Sequence, residues 1–437
     1  MGACCSRNDD VLELATRRAF MEEEEQEEGE DAGSCLFGTE EQGDGEEGGG
    51  DSARVRLRGS SMAVAMYSQQ GWKGVNQDSM TVWEGFAGDK DTIFSGTFDG
   101  HGPYGHKVSR HVRDTLPSKL QSQLKRLMND DSNLDTETWF PKWKAIFVNA
   151  FEEVDKELHA HPMIDCICSG STAVTIIKQR EHLVIANLGD SRAVICTRDN
   201  KNHIVPVQLT VDQKPNIPSE AERIRHCRGR IFALQEEPDV HRLWLPDEDC
   251  PGLAMARAFG DFCLKDFGLI STPQISYRKL TDNDEFVVLA SDGVWDVLPN
   301  KEVIKIVSSA SKRSDAPKLV IEKAVRAWRI KHPTSKVDDC TVVCVFLKVP
   351  PPTSASNKST RRSRSLSTAS SDISCTSFRT ARSSEVSEVE LEAGSEEYWN
   401  ALEGVSRSNS MLKLPRFTKA LSWHRKSFKV EEDTCAH

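Results

Sequence analysis

The sequence predicts an α+β protein in which antiparallel sheets carry helices on their outer faces. Three observations point there. Apolar runs of strand length are bounded by turn residues, other apolar residues recur at spacings of three and four, and the two patterns come in blocks instead of strict βαβ alternation. Of the 437 residues, those from about Arg58 to Lys348 carry these patterns, while both ends lack the apolar content to bury a core. The reading is therefore an amino-terminal tail over 1–57, one domain over 58–348 and a carboxy-terminal tail over 349–437.

Taken in order, Ile93 to Phe98 is an apolar, β-prone run that ends in Asp99-Gly100-His101-Gly102. Val108, Val112, Leu116, Leu120 and Leu124 mark a helix directly after it, with Pro117 threatening a break. Trp139, Trp143, Ile146, Phe147, Ala150, Phe151, Val154 and Leu158 form the apolar face of a second long helix. Ser171 to Ile177 and Leu183 to Asn187 read as a hairpin around a polar loop at Lys178 to His182. Ala193 to Thr197 is a further strand, and Ser219 with Glu222 reads as a capping box that opens a helix containing Ile224. Phe286 to Ala290 is a strand meeting Ser291-Asp292-Gly293-Val294-Trp295-Asp296. Val320, Ile321, Ala324, Val325 and Trp328 give another helix, and Thr341 to Leu347 a last strand.

Charge separates the tails from this body. From Glu22 to Asp51 there are fourteen Asp or Glu and no Lys or Arg, and without them the net charge moves from -11 to +3. The acidity belongs to one tail, and no strongly basic body points to nucleic acid. Thirteen cysteines, an odd number without metal-ligand spacing, and no secretory leader pattern predict an intracellular protein. No apolar run is long enough to span a bilayer.

Met1-Gly2-Ala3-Cys4-Cys5-Ser6 matches an acylation signal, with myristate on Gly2 and palmitate on Cys4 and Cys5, since one chain alone anchors only marginally. That predicts the cytoplasmic face of the plasma membrane, and the cytosol or nucleus if acylation fails. In the other tail, seventeen of the thirty-two residues from Thr353 to Ser384 are Ser or Thr. Arg364-Ser365-Leu366-Ser367 and Arg407-Ser408-Asn409-Ser410 fit basophilic kinase sites. Gly404 to Val430 holds seven Lys or Arg and no acid, mixed with Leu412, Leu414, Phe417, Leu421, Trp423 and Phe428. Such a segment suits an anionic membrane, a calmodulin-like groove or the acidic tail.

Asp78, Asp99, Asp292 and Asp339 stand at the edges of turns or apolar runs, with Asp190 and Asp296 in comparable settings. One such residue is usually a turn or cap. Gathered together, they would repel each other unless cations neutralised them, and carboxylates with a backbone carbonyl suit Mg²⁺ or Mn²⁺ rather than zinc. Two ions about 4 Å apart would activate water for in-line attack on phosphorus. A phosphoserine or phosphothreonine alkoxide needs a proton on leaving, and His101 is placed in sequence to give it.

These segments resemble the metal-dependent Ser/Thr protein phosphatases of type 2C, most closely the plant branch. The resemblance runs from about Ser61 to Leu347 through Gly71-Trp72-Lys73-Gly74-Val75-Asn76-Gln77-Asp78, Asp99-Gly100-His101-Gly102, Ser169-Gly170-Ser171-Thr172-Ala173 and Asn187-Leu188-Gly189-Asp190-Ser191-Arg192. It continues through Leu253 to Asp261, Ser291 to Asp296 and Asp338-Asp339-Cys340, with Trp244-Leu245-Pro246 marking the plant branch. It implies a four-layer α-β-β-α sandwich with a binuclear Mg²⁺ or Mn²⁺ site at one edge. By motif match, Asp99 bridges both ions, Gly100 gives a carbonyl, Asp292 and Asp339 complete the pair, and Asp78 holds water. Asp190, Asp292 and Asp296 match a third, weaker site. Lys73 replaces a phosphate-binding Arg and loses the bidentate fork. Gln77 stands for Glu, and Cys340 for Asn. Ser171, Thr172 and Arg257 are expected to serve structure.

The resemblance implies a monomeric phosphatase acting on phosphoproteins without a covalent intermediate. A cysteine-nucleophile phosphatase needs Arg six positions after its Cys, and no cysteine here has it. The remaining alternative is a catalytically weak binding or scaffold protein on the same fold.

Overall fold

Strands buried on both faces lose the polar alternation of half-exposed ones, and their residues then divide between two cores. In the computed structural model this holds for the central strands of the chain. The structure describes residues 53–56, 63–130, 136–235, 237–348 and 411–412. Gly2, Cys4, Cys5, the acidic run and the Ser/Thr-rich and basic tail segments lie outside them, apart from Met411 and Leu412.

The strands are β1 (Ala53–Arg56), β2 (Val64–Gln69), β3 (Asp78–Glu84), β4 (Thr92–His101), β5 (Gly170–Ser171), β6 (Ala173–Gln179), β7 (His182–Leu188), β8 (Arg192–Arg198) and β9 (Ile204–Gln208). They continue as β10 (Arg230–Ala233), β11 (His241–Trp244), β12 (Gly252–Leu253), β13 (Phe259–Gly260), β14 (Gln274–Lys279), β15 (Asp284–Ala290), β16 (Cys340–Phe346) and β17 (Met411–Leu412). The helices are α1 (Gly105–Asp130), α2 (Thr136–Ala160), α3 (Pro218–His226), α4 (Phe262–Lys265), α5 (Asp292–Trp295), α6 (Asn300–Ser309) and α7 (Ala316–Lys331).

One sheet runs β1-β3-β4-β6-β7-β14 and the other β2-β16-β15-β8-β9. Val287 and Leu289 of β15 and Val343 and Val345 of β16 meet Val174, Ile176, Leu183 and Ile185 of the first sheet in the inner core. The alternate residues Phe286, Val288, Ala290, Val342, Cys344 and Phe346 pack against Val303, Ile304 and Val307 of α6 and Val320, Ile321, Ala324 and Trp328 of α7. On the opposite outer face, α1 and α2 press Val108, Val112, Leu116, Leu120, Leu124, Phe147, Phe151 and Val154 onto Phe94, Phe98, Ala173 and Val184. The result is the expected α-β-β-α sandwich.

Several local expectations change. Pro117 lies inside α1 without ending it, because the buried leucines on either side hold the helix to the sheet against a cost of roughly 3 kcal/mol. Ser219 is not a cap: α3 begins after Ile217 with Pro218 in its first turn and no side-chain cap bond. The hairpin turn shrinks to Arg180 and Glu181 between β6 and β7, with Arg180 at a φ of 51°. Ser171 leaves the hairpin strand for β5, which pairs with Gly100 and His101. Ala53–Arg56, assigned to the acidic tail by its neighbours in sequence, pairs parallel with β3, since Ala53 and Val55 alternate into the inner core. That pair is the parallel exception in the first sheet.

A smaller sheet, β10-β11-β12-β17, stands beside the sandwich. Its last strand comes from the basic segment of the tail, with Gly252 opposite Leu412 and Leu253 opposite Met411.

Candidate metal centre and active site

The register of β3 against β4 places Asp78 directly opposite Asp99. Strand β4 runs on through Asp99 to His101, so Asp99 lies inside the strand, at the last pairing of the β3 ladder. Its N–H donates to Thr172 Oγ1 at 3.1 Å, and Thr172 Oγ1 meets Ser191 Oγ at 2.8 Å, which is the structural role expected for Thr172. Gly100 has no room for a side chain: a Cβ would stand 2.3 Å from Gly105 O and 2.6 Å from Gln77 O.

From the second sheet, β15 ends at Ala290 and the chain turns into α5, whose first residue is Asp292. Ser291 Oγ donates to Asp78 Oδ2 at 2.7 Å and accepts from Thr341 N–H at 3.0 Å, tying the two sheet edges together. Asp339, just before β16, accepts from Gly71 N–H at 2.7 Å and Gln77 N–H at 2.8 Å. It thereby fixes the loop that carries Lys73 and leads to Asp78, and each of its oxygens keeps a lone pair for another partner.

Burial, then Asp339, push the Asp78 carboxyl up to about 8, against the pull of the Ser291 hydroxyl. Burial, then Asp292 and Asp78, hold Asp99 well above the usual carboxylate range. Asp338 is likewise raised by burial in spite of Lys73, and Asp339 by burial in spite of its two N–H donors. Asp296 presents surface to solvent at the rim, yet the surrounding protein, then Asp292 and Asp190, still raise it. The directions agree that this is a pocket of concentrated negative charge.

Two lysines lie among the acids. Lys73 pairs with Asp338, so its ammonium is engaged inside the cluster, and Lys214 pairs with Asp190. Burial lowers both lysines, but their carboxylate neighbours outweigh it and raise them. Among the described residues no three His, Cys, Asp or Glu side chains already converge as a closed metal site. The donor set still fits Mg²⁺ or Mn²⁺: it is all oxygen, and Asp190 Oδ1 is buried without a hydrogen-bond partner.

His101 is buried and its Nε2 lies 2.6 Å from Asp261 Oδ2. Burial lowers the imidazole, but Asp261 outweighs it and the net displacement is upward. His101 Nδ1 and Asp261 Oδ1 are buried without a hydrogen-bond partner. Asp261 is held in turn by its N–H to Ser169 O at 3.0 Å. Arg257, as expected, is structural, with Nε 2.9 Å from Glu220 Oε2.

The structure thus brings Asp78, Asp99, Gly100, Asp292, Asp339, Lys73, Asp190 and Asp296 to one edge of the sandwich. Sequence reasoning missed Asp338, Lys214 and Asp261 as members of this environment. Asp338 was visible as half of a paired acid, and Asp261 as the polar end of Phe259-Gly260-Asp261, while Lys214 carried no signal.

The protein phosphatase 2C family model matches residues 62–335. The chain is 55% identical over 393 residues to "Probable protein phosphatase 2C 73" of Oryza sativa subsp. japonica, covering 85% of this chain and 91% of that one. It is 47% identical to "Probable protein phosphatase 2C 33" of Arabidopsis thaliana, covering 83% and 88%. Among solved structures, the serine-threonine phosphatase 2C of Toxoplasma gondii superposes with a TM-score of 0.59 at 23% identity, over 66% of this chain and 96% of that one, a likeness of fold. The chain belongs to the protein phosphatase 2C family, close to its plant members, and is a serine/threonine protein phosphatase.

Proposed function

We propose that the chain hydrolyses phosphoserine and phosphothreonine in proteins directly, without a phosphoenzyme, at the acidic edge of the sandwich. The observation that carries this is the packing of Asp78 against Asp99, across the strand pair, with Asp292 and Asp339 from the other sheet. In this reading Asp99, the Gly100 carbonyl, Asp292 and Asp339 hold two Mg²⁺ or Mn²⁺ ions, Asp78 orients water, and Asp190 and Asp296 with Asp292 hold a third. When bound, such ions ease deprotonation of the attacking water and neutralise the phosphoryl oxygens.

His101 gives a proton to the departing alkoxide from Nδ1, the nitrogen not committed to Asp261, and Asp261 fixes the ring and favours its charged form. In this reading Lys73 exchanges its Asp338 partner for a phosphate oxygen. The test is phosphate release from a phosphothreonine peptide with Mg²⁺, with Mn²⁺ and with chelator. Release that needs the metal supports the reading. No release under any condition favours the weakly catalytic scaffold.

Acylation at Gly2, Cys4 and Cys5 and residence at the plasma membrane rest on the amino-terminal motif alone. Expression of Gly2→Ala is expected to move the protein from the membrane to the soluble fraction, and unchanged partitioning would remove the proposal. The basic segment 404–430 is proposed as a contact for an anionic membrane or a calmodulin-like partner. Deleting it should weaken vesicle or calmodulin binding.

A further inference from the structure

Two thiols lie beside the His101–Asp261 pair and take no part in the chemistry above. Cys168 precedes Ser169, whose carbonyl holds Asp261, and Cys263 lies in α4 two residues after Asp261. Their Sγ atoms are 3.5 Å apart. The two segments are already laced together: Asp261 N–H donates to Ser169 O at 3.0 Å, Phe262 N–H to Cys166 O at 3.1 Å and Cys263 N–H to Ile167 O at 3.1 Å. Closing the sulfurs to the bonded distance of about 2 Å needs side-chain rotation and a small backbone adjustment, not rearrangement.

The pair is more accessible than four of the other described cysteines of the domain, while Cys227 and Cys250 are likewise partly exposed. Cys168 and Cys263 are partly exposed, whereas Cys166, Cys196, Cys340 and Cys344 are buried, and burial pushes the thiols of Cys166 and Cys196 up to about 12. Those four are poor nucleophiles. Cys263 is raised by its hydrogen bond to Cys168, then by burial, and either sulfur can be the donor of that contact.

We propose that Cys168 and Cys263 are a disulfide-forming redox site, closed by hydrogen peroxide and reopened by a dithiol, which acts on the Asp261–His101 pair. The sulfur of one of the two attacks peroxide, forming an S–O bond as the O–O bond breaks, and the released hydroxide takes up that thiol's proton as water. The partner sulfur then attacks the sulfenic sulfur, forming S–S as S–O breaks, and its proton leaves with the hydroxyl as a second water. Two thiols lose two electrons and one peroxide gains them.

Little slack separates this site from His101. A Cβ on Gly102 would stand 2.2 Å from Cys168 O, and one on Gly170 2.2 Å from Asp261 Oδ2 and 2.7 Å from His101 Nε2. Movement of either cysteine is therefore passed to the imidazole. This coupling rests on His101 as proton donor, and the crosslink does not.

The full-length protein is treated with stoichiometric peroxide, alkylated and digested with trypsin without reduction. The expected product joins residues 157–178 to 258–265 with loss of two hydrogens, survives in Cys166→Ser, and is absent from Cys168→Ser and Cys263→Ser. Separate alkylation of Cys168 and Cys263 after peroxide, or linkage through Cys166, overturns the proposal. The crosslinked enzyme should lose several-fold of its turnover on a phosphothreonine peptide and regain it with dithiothreitol, while Cys263→Ser is unaffected by peroxide. Undiminished turnover by the crosslinked enzyme overturns the coupling to His101. The role of His101 itself is read separately from the leaving-group dependence of His101→Gln.

Discussion

His101 and Asp261 make one unit, and each member predicts a different measurement. His101→Gln should slow release of a poor alkoxide leaving group by on the order of 10²-fold or more, and release of a phenoxide far less; equal losses would count against proton donation. Asp261→Asn removes the charge that raises the imidazole. The protonated ring is then lost at lower pH, so the alkaline limb of the rate profile should move down while the rate at its plateau changes less. Asp99→Asn and Asp292→Asn should each cost on the order of 10²-fold or more in turnover, checked on folded protein by circular dichroism. The carboxylates of this centre were legible in the sequence because each stands at the edge of a turn or an apolar run. Asp261 was not, because its meaning depends on a partner 160 positions away, and Lys214 gains its role only once folding sets it against Asp190.

At the level of elements, periodicity carried most of the information. The spacing of Trp143, Phe147, Phe151 and Val154 translates directly into the buried face of α2, and the apolar runs of β15 and β16 into strands shared by two cores. Phe147 is fully buried, so Phe147→Ala should destabilise by about 3–5 kcal/mol with KM for phosphopeptide nearly unchanged. Signals of one or two residues fared worse. The Ser219–Glu222 pattern lost to Pro218, whose fixed φ suits the first helical turn, and the Pro117 warning lost to packing. The fully buried Arg242–Glu237 pair, 3.0 Å apart, has no sequence signature. Glu237→Gln takes a carboxylate away from a buried guanidinium and should cost roughly 3–5 kcal/mol, read by urea unfolding. A paired Glu237→Leu, Arg242→Met replacement should recover most of it.

Across the whole molecule, the two sheets meet at their edges through groups that disfavour their own charge, and pH should reveal it. The Asp78 carboxyl is raised from 3.8 to about 8 in the folded chain, so the folded state binds that proton more tightly than the unfolded state. The stability it confers is full below about pH 4 and is lost as pH climbs toward about 8. In chelator, the unfolding temperature should therefore carry a downward contribution across that window, and saturating Mn²⁺ should raise it and flatten the slope; an identical profile with and without metal would argue against ion binding among these acids. The sandwich was legible as a class from blocks of strand and helix. The parallel pairing of β1 and the destination of the basic tail were not, because both depend on a register that no local pattern encodes. That destination has a further consequence. The strand β17 is tethered to the domain it covers by about sixty residues, so its local supply at the edge of β12 is fixed by chain length, at an effective concentration on the order of 1 mM or below. Diluting the protein leaves that edge as fully covered as before, and a competing extended peptide must exceed the tethered concentration, not the protein's own, to take its place.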